Sequence, residues 1–345
     1  MYEKKKYFYV HLLNQMTFLS KRIPLAYLLV TVIIFTGGLF YISLHPVKVI
    51  EKIESKNNCD IDLMRDNSYR YVAPLLMTDT KEEDPMFLEL KSSIDNFISL
   101  EKSSGAITSV SVYVREFNKG KWFAINPDEK YSPGSVMKIM TLITFLKESE
   151  RDPSLLNKKI KFSTHISELP TQSIVVEELQ EGKYYSVKEL LSRMITDSNN
   201  DATALLNSTM DFTTYFSILK GINLEIPSIY QADYPLNAIQ VSRLLRLIYN
   251  SGILSSDNSE YAMTLLSKSK FHDGIEKSLP KGVEIAHKFG EKFTPTEQQL
   301  HETGIVYCNN KPYLITVMTK GTKQDELKQV LSKVSSQVWD FMASR

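Results

Sequence analysis

The sequence predicts an α+β fold, with one antiparallel sheet flanked by N- and C-terminal helices and an all-helical lobe beside the sheet. Two observations predict this arrangement. Strand-like segments lie near both ends of the region after residue 84, and a long, mostly helical section separates them. Amphipathic helices precede the first strand and follow the last one. An uncharged apolar segment near the N-terminus adds one transmembrane helix to the prediction.

The transmembrane helix is predicted for residues 24–44, PLAYLLVTVIIFTGGLFYISL, which carry no charge and are long enough to cross a bilayer. A buried core helix is seldom so long, and no small-x-small cleavage site of a signal peptide follows. Positive residues precede the span at Lys4, Lys5, Lys6, Lys21 and Arg22. The positive-inside rule predicts a single-pass protein of the cytoplasmic membrane, with residues 1–23 in the cytoplasm and the remainder extracytoplasmic.

The chain after the span divides into a stalk and one domain. Residues 45–83 are charged and show little periodicity, which predicts a stalk, whereas residues 84–345 have the size of one catalytic unit. That unit begins with apolar residues at helical spacing between Asp84 and Glu101. The segments AITSVSVYVREF and KWFAIN then alternate around a turn at residues 118–120, which predicts a hairpin.

The middle of the domain is predicted to be helical, because apolar residues recur at helical spacing in residues 135–149, 187–196, 201–207 and 237–250. Three strand-like segments follow: VEIAHKFGEKF, HETGIVYC and PYLITVMTK. The last segment, residues 322–344, carries an apolar stripe that predicts the C-terminal helix.

The composition excludes several classes of protein. Lys and Arg number 41 against 40 Asp and Glu, so the formal charge is +1 and no nucleic-acid partner is indicated. The two cysteines, Cys59 and Cys308, lack the spacing of a zinc site or a disulfide framework. The 6 histidines show no ligand spacing either, so we expect no metal ion and no organic cofactor.

A candidate nucleophile lies in the segment YSPGSVMK, at the start of an apolar helix. If Ser135 lies in the first turn, Lys138 is on the same face and within reach of the serine oxygen. Burial against the apolar helix would lower the pKa of Lys138 toward that of a usable base. The same S-x-x-K spacing begins at Ser217 and Ser267, but no apolar helix follows there, so both copies are interpreted as surface.

Two further motifs follow. The sequence SNN at residues 198–200 lies between two helical stretches, whereas a literal SDN at residues 256–258 is interpreted as a helix cap. Lys288 precedes Gly290 by two positions at the end of a strand-like segment, and this K-x-G spacing occurs once in the chain. A lysine beside a glycine on a strand edge offers a cation for a substrate carboxylate and N–H donors for a reacting carbonyl.

In this order, S-x-x-K, S-x-N and K-x-G resemble the motifs of penicillin-recognising serine enzymes, and of class A β-lactamases in particular. The resemblance covers residues 84–345 and includes HETGIVY and PYLITVMTKG, which look like that family's last two strands. It implies a β-lactamase/transpeptidase-like fold and acylation of a serine by an amide substrate.

The resemblance implies a catalytic role for four residues. Ser135 would be the acylated nucleophile, and Lys138 would be its proton acceptor. Ser198 would pass a proton to the leaving nitrogen. The backbone N–H groups of Ser135 and Glu291 would form the oxyanion hole.

The resemblance also implies four substrate-binding residues. Asn200 would hold a substrate amide, and Lys288 would attract the substrate carboxylate beside Phe289 and Gly290. Two residues depart from the family's pattern, because Asn199 replaces its Asp and Phe289 replaces its Thr or Ser. The second change removes a hydroxyl that helps to bind the substrate carboxylate, so we expect a penicillin-like acid to bind more weakly or in a different pose.

The family's deacylating Glu, in an E-x-x-L-N-like loop, is the third departure. Glu225 and Asp233 are the only carboxylates in the corresponding loop, residues 221–237. Neither matches the family's pattern, and we interpret both as surface charges. An acyl-enzyme that forms but hydrolyses slowly is therefore expected.

The sequence leaves three functions open. The first is a membrane-anchored, β-lactamase-like serine hydrolase that degrades β-lactam antibiotics through an acyl-Ser135 intermediate. The second is a D-alanyl peptide carboxypeptidase or transpeptidase of the peptidoglycan, consistent with an outward-facing domain. The third is a penicillin-binding sensor without turnover, which the change at Phe289 motivates. The expected partner is accordingly a small β-lactam or a D-alanyl cell-wall peptide.

Overall fold

A computed structural model describes the chain in five ranges, residues 61–66, 70–165, 173–227, 233–308 and 311–345. These ranges belong to one compact unit, Cys59–Arg345. The predicted cytoplasmic segment, the span at residues 24–44 and the first part of the stalk lie outside the described residues. In the part that is described, no helix has the length and apolar character needed to span a membrane.

The elements are numbered in chain order. The strands are β1 (Ile61–Arg65), β2 (Leu75–Thr80), β3 (Ile107–Glu116), β4 (Trp122–Ile125), β5 (Lys159–Lys161), β6 (Tyr184–Ser186), β7 (Ile285–Phe293), β8 (Gln298–Val306) and β9 (Tyr313–Gly321). The helices are α1 (Leu88–Ser103), α2 (Lys138–Ser149), α3 (Val187–Thr196), α4 (Asn200–Asn207), α5 (Phe212–Gly221), α6 (Ala238–Tyr249), α7 (Ser256–Leu266) and α8 (Gln324–Ala343).

The predicted antiparallel sheet is confirmed, with five strands in the spatial order β4-β3-β9-β8-β7. The early hairpin β3–β4 joins the late strands because β3 pairs with β9, for example Val112 with Val317. The helical section between them is thus an insertion that forms a lobe of its own. Strand β7, which carries the K-x-G motif, lies at the edge of the sheet.

Helices cover both faces of the sheet, as its apolar residues require. On one face lie α1 and α8, whose predicted apolar stripes are buried, including Ile94, Val330 and Val334. On the other face lies the helical lobe, where α2 is buried along almost its whole length. The active-site motifs all lie between this lobe and the edge strand β7.

The segment predicted to be a stalk is partly folded. Strands β1 and β2 pair as an antiparallel hairpin and bury Met64, Leu76 and Met77 in the core of the helical lobe. Asp79 of β2 lies 2.6 Å from the guanidinium of Arg246, a buried residue of α6. The compact unit therefore includes residues before 84. The hairpin escapes prediction because its burial does not alternate: Ile61 and Leu63 are exposed, whereas the consecutive residues Leu76 and Met77 are both buried.

Candidate active site

Ser135 lies in a short 3-10 helix, Gly134–Met137, which leads directly into α2, as its sequence predicts. Gly134 adopts a φ of 54°, in the left-handed region that favours glycine. A Cβ at this position would lie 2.6 Å from the carbonyl oxygen of Glu291. The turn that carries Ser135 therefore packs directly against β7, and Ser135 itself is half-buried at this junction.

Lys138, the first residue of α2, connects the S-x-x-K motif with the S-x-N motif through its hydrogen bonds. Its Nζ donates to the carbonyl oxygen of Ser198 at 2.5 Å, to Ser198 Oγ at 3.1 Å and to Asn200 Oδ1 at 2.7 Å. Lys138 is 6% exposed, so these acceptors replace water around the amine. Among the described residues no hydrogen bond links Ser135 Oγ to Lys138, so proton transfer between them requires a rotation of either side chain.

Lys288 reaches the same serine from the sheet. Its Nζ donates to Ser198 Oγ at 3.0 Å and to the carbonyl oxygen of Phe289 at 3.1 Å, and the residue is 0% exposed. Ser198 stands between α3 and α4 with a φ of 53°, which is uncommon for a residue with a side chain. This left-handed backbone places its hydroxyl between the two lysines, and such strain is frequent at functional sites.

The pKa values of both lysines are lowered. Burial lowers the pKa of Lys138 well below its ordinary value, the charge of Lys288 lowers it further, and Glu291 opposes both effects. Burial likewise lowers the pKa of Lys288 to about 7, against the attraction of Glu291 and Glu302. The lowered pKa of Lys138 is the change that a lysine needs to act as a general base.

The three predicted residues after Lys288 have different surroundings. Phe289 is 1% exposed and stacks on Phe271 with the ring centroids 4.4 Å apart, so its side chain lies in the core and not in the site. Gly290 faces the Ser135 turn, since a Cβ there would lie 2.2 Å from the carbonyl oxygen of Pro133. Glu291 lies beside Gly134, with its backbone against the same turn.

A cavity of about 550 Å³ opens beside Ser135. One end is polar, with Lys138, Asn200 and Glu291, and the other is apolar. The described lining residues are Gly134, Ser135, Met137, Lys138, Thr141, Asn200, Thr203, Asn207, Met210, Phe212, Tyr215, Phe216, Pro227 and Glu291. Sequence reasoning missed the apolar wall from α5 and its surroundings, because such residues are usual on any amphipathic helix.

Neither candidate for a deacylating base lines this cavity. Glu225 is exposed. Asp233 accepts hydrogen bonds from Ser132 Oγ at 2.6 Å and from Lys292 Nζ at 2.7 Å. Asp233 thereby ties its loop to the Ser135 turn and to β7, which is a structural role.

A buried histidine with two carboxylates lies next to Lys288, and the sequence does not predict this group. The ring of His287 lies between two carboxylates, with Nδ1 2.5 Å from Glu302 and Nε2 3.5 Å from Glu276. Burial alone would lower the pKa of His287, but hydrogen bonds with Glu276 and Glu302 raise it to about 9. The sequence places only His287 near the site, because both carboxylates are brought there by the fold.

Both the sequence and the fold of this chain resemble those of known proteins. A family model described as the beta-lactamase enzyme family matches residues 89–342. No curated protein sequence matches the chain.

Several solved structures share the fold. TLA-1 extended-spectrum beta-lactamase has a TM-score of 0.63 and 19% identity, over 74% of this chain and 98% of that chain. PBP-A has a TM-score of 0.65 and 18% identity, over 76% and 98%. A beta-lactamase from Chitinophaga pinensis has a TM-score of 0.63 and 17% identity, over 72% and 98%. A PBP-A mutant, described as an acyl-enzyme complex with penicillin G, also matches, with a TM-score of 0.62 and 17% identity over 74% and 97%. At identities this low, the likeness shows that the chain shares the fold of these structures and nothing more.

Proposed function

Because the chain belongs to the beta-lactamase enzyme family, we propose that it is a serine hydrolase whose Ser135 is acylated by β-lactam amides. One observation carries the proposal. The hydroxyl of Ser198 lies within hydrogen-bonding distance of both Lys138 and Lys288, and Lys138 lines the same cavity as Ser135. A nucleophile, a base of lowered pKa and a proton donor for the leaving nitrogen thereby share one site.

The proposed reaction begins with attack of Ser135 Oγ on the lactam carbonyl. Lys138 accepts the serine proton, which its lowered pKa permits. The backbone N–H groups of Ser135 and Glu291 face the developing oxyanion. As the C–N bond breaks and the serine ester forms, Ser198 delivers its proton to the nitrogen and is reprotonated from Lys138.

Hydrolysis of the ester needs a base for the attacking water. Glu291 is the sole carboxylate among the described residues that line the cavity, and its oxygens already accept hydrogen bonds from Ser173 and Gln324. A long-lived acyl-enzyme is therefore the expected outcome. This favours, as a second candidate, a penicillin-binding enzyme or sensor that acts on D-alanyl peptides, held at the outer face of the cytoplasmic membrane by residues 24–44.

Intact-mass spectrometry of the full-length protein in detergent, with excess benzylpenicillin, tests the proposal. We expect an adduct with the mass of one penicillin on the wild type and none on Ser135→Ala. Ser217→Ala is the matched control, since Ser217 begins a second S-x-x-K copy on the exposed side of α5, and it should label like the wild type.

The time course separates the two candidates. An adduct that appears and then disappears as penicilloic acid accumulates indicates a β-lactamase. A persistent adduct indicates the second candidate. Labelling of Ser135→Ala to the wild-type extent would refute the assigned nucleophile.

A further inference from the structure

We propose that this site prefers acyl donors with an apolar acyl group and disfavours a carboxylate beside the scissile carbonyl, with Glu291 as the residue that opposes such a carboxylate. This inference rests on the acyl-transfer function proposed above and names its substrate class. It departs from the sequence expectation that Lys288 attracts a substrate carboxylate.

Lys288 is enclosed by the protein. Its ammonium is bonded to Ser198 and to the carbonyl oxygen of Phe289, lies 4.3 Å from the centroid of the Phe289 ring, and has no exposed surface. The ring of Phe289 is itself held in the core by Phe271. The ammonium of Lys288 is therefore not presented to a ligand. Phe289, unlike a Thr or Ser at this position, has no hydroxyl to offer.

Glu291 supplies a negative charge to the lining of the cavity, near both lysines. Its carboxylate accepts hydrogen bonds from the backbone N–H of Ser173 at 3.0 Å, from the Ser173 hydroxyl and from Gln324 Nε2 at 3.4 Å. These donors come from two different parts of the chain and hold the side chain in place. Glu291 also attracts the charges of Lys138 and Lys288, so both lysines already have an anionic neighbour.

The cavity offers no other cation for an anionic ligand. Lys138 is the single basic side chain among the described lining residues, and a reaction that uses it as a base requires it to be neutral. In that state the lining carries one negative charge and no positive charge. A carboxylate close to the reacting carbonyl would then face Glu291 as a like charge.

The remainder of the lining matches an apolar acyl group. Met210, Phe212, Tyr215 and Phe216 form a wall that continues from the Ser135 end. Their rings pack on one another, with Phe212 and Phe216 centroids 5.8 Å apart, so the wall is a preformed surface. Apolar walls with a few polar groups at one end are typical of sites that bind hydrophobic ligands.

The first test compares benzylpenicillin with its methyl ester, which lacks only the carboxylate charge. The rate of Ser135 acylation is measured by intact mass for each compound and divided by the rate of its alkaline hydrolysis, which corrects for intrinsic reactivity. We expect the corrected rate to be about tenfold higher for the ester, a modest figure for like charges in a partly buried site. In Glu291→Gln the ratio of the corrected ester rate to the corrected acid rate should fall toward one. Glu225→Gln changes an exposed carboxylate away from the cavity and should leave this ratio unchanged.

The possible outcomes separate failure of this inference from failure of the proposed function. A corrected rate that is higher for the acid, or a ratio that Glu291→Gln leaves unchanged, overturns the inference. A structural role of Glu291 alone would slow both compounds equally and leave their ratio intact. Absence of any adduct at Ser135 with either compound would instead refute the proposed function.

The second test does not depend on the stability of a Glu291 variant. With p-nitrophenyl esters, Ser135 takes the acyl group, p-nitrophenolate leaves, and the serine proton passes to Lys138. We expect the wild type to prefer octanoate over acetate by at least about tenfold, since several methylene groups become buried. Phe216→Ser should reduce this preference and Leu100→Ser, at an exposed residue of α1, should not. A preference for acetate would contradict the apolar acyl site.

Discussion

Ser198 Oγ lies 3.1 Å from Lys138 Nζ and 3.0 Å from Lys288 Nζ, so one hydroxyl connects a base on a helix with a cation on a strand. A hydroxyl has one proton to donate and can accept two hydrogen bonds. When Lys138 is neutral, Ser198 can donate to it while it still accepts from Lys288. The arrangement thus allows a proton to move without any change in the positions of the heavy atoms.

The adjacent residues His287 and Lys288 have opposite effects on the pH dependence of stability. Burial lowers the pKa of Lys288 from 10.5 to about 7, so between these pH values the unfolded chain binds the extra proton and the free energy of unfolding rises with pH. For His287 the hydrogen bonds that its ring donates to Glu276 and Glu302 outweigh burial and raise the pKa from 6.5 to about 9, so over that interval the folded chain binds the extra proton. The stabilisation by His287 is therefore lost as the pH rises toward 9, and the two effects largely cancel between pH 7 and 9.

In a variant without Lys288, the effect of His287 on the pH dependence of the free energy of unfolding should become measurable. We expect the free energy of unfolding of Lys288→Met, relative to wild type, to decrease between pH 7 and 9 by about 1 kcal/mol per pH unit. Urea denaturation at several pH values measures it. Lys102→Met, at an exposed lysine of α1, is the control and should run parallel to the wild type. A parallel curve for Lys288→Met would mean that the pKa of Lys288 is not lowered in the folded protein.

At the scale of residues, the sequence predicts which residue types form the site but not which side chains they contact. The motifs identify Ser135, Lys138, Ser198 and Lys288 because each must carry a particular functional group at a fixed spacing. The bonds of Glu291 with Ser173 and Gln324 join residues far apart in the chain, and no local pattern marks them. The same is true of Glu302, which lies one strand away from His287.

At the scale of elements, the contact between β7 and the Ser135 turn depends on the absence of side chains. In Gly290→Ala the new Cβ would lie 2.2 Å from the carbonyl oxygen of Pro133 and 2.9 Å from the backbone nitrogen of Val136. Backbone atoms cannot yield as a flexible side chain does, so the strand and the turn must separate. The oxyanion donors on the two elements would then be misplaced.

We expect Gly290→Ala to lower the rate of Ser135 acylation roughly 10²-fold, the order of the loss of one oxyanion donor. Stopped-flow kinetics with a chromogenic ester measures it. Gly182→Ala controls for destabilisation, because its φ of 79° also disfavours a side chain while the added Cβ meets no atom within 4 Å. Equal acylation rates in the two variants would show that the β7 contact does not position the donors.

The predictability of each element follows from its length and burial. Long amphipathic helices such as α8 keep a clear helical period. Strands buried on both faces, such as β9, have no alternation but form a continuous run of apolar and β-branched residues that also predicts a strand. Strands β5 and β6 have three residues each, too few to show a period. The hairpin β1–β2 owes its place to distant contacts, above all that of Asp79 with Arg246.

At the scale of the molecule, the hairpin β1–β2 decides where the folded unit begins. Arg246 is 1% exposed, pairs with Asp79 and donates to the carbonyl oxygen of Thr78 at 2.8 Å. A fragment of residues 84–345 lacks both partners and leaves a buried guanidinium with fewer acceptors. Removing one partner of a buried ion pair costs about 3–5 kcal/mol.

We therefore expect the fragment 84–345 to be less stable than the fragment 60–345 by about 3 kcal/mol or more. Guanidinium denaturation followed by circular dichroism measures the difference. Arg246→Met should recover part of the loss in the shorter fragment and destabilise the longer one, which separates the ion pair from the lost apolar contacts. Identical unfolding midpoints for the two fragments would show that the hairpin is dispensable.

The register of this hairpin also determines how the molecule responds to force. Ile61 faces Thr80 at the open end, where the chain enters β1 and leaves β2. Tension applied N-terminal to Ile61 would load the ladder one pair at a time, so that the strands peel apart instead of sliding past each other. Peeling releases about 60 Å of chain, at roughly 3.3 Å per residue, before the five-stranded sheet has to yield. The hairpin is therefore a mechanical buffer that keeps the geometry around Ser135 intact when the N-terminal side is pulled.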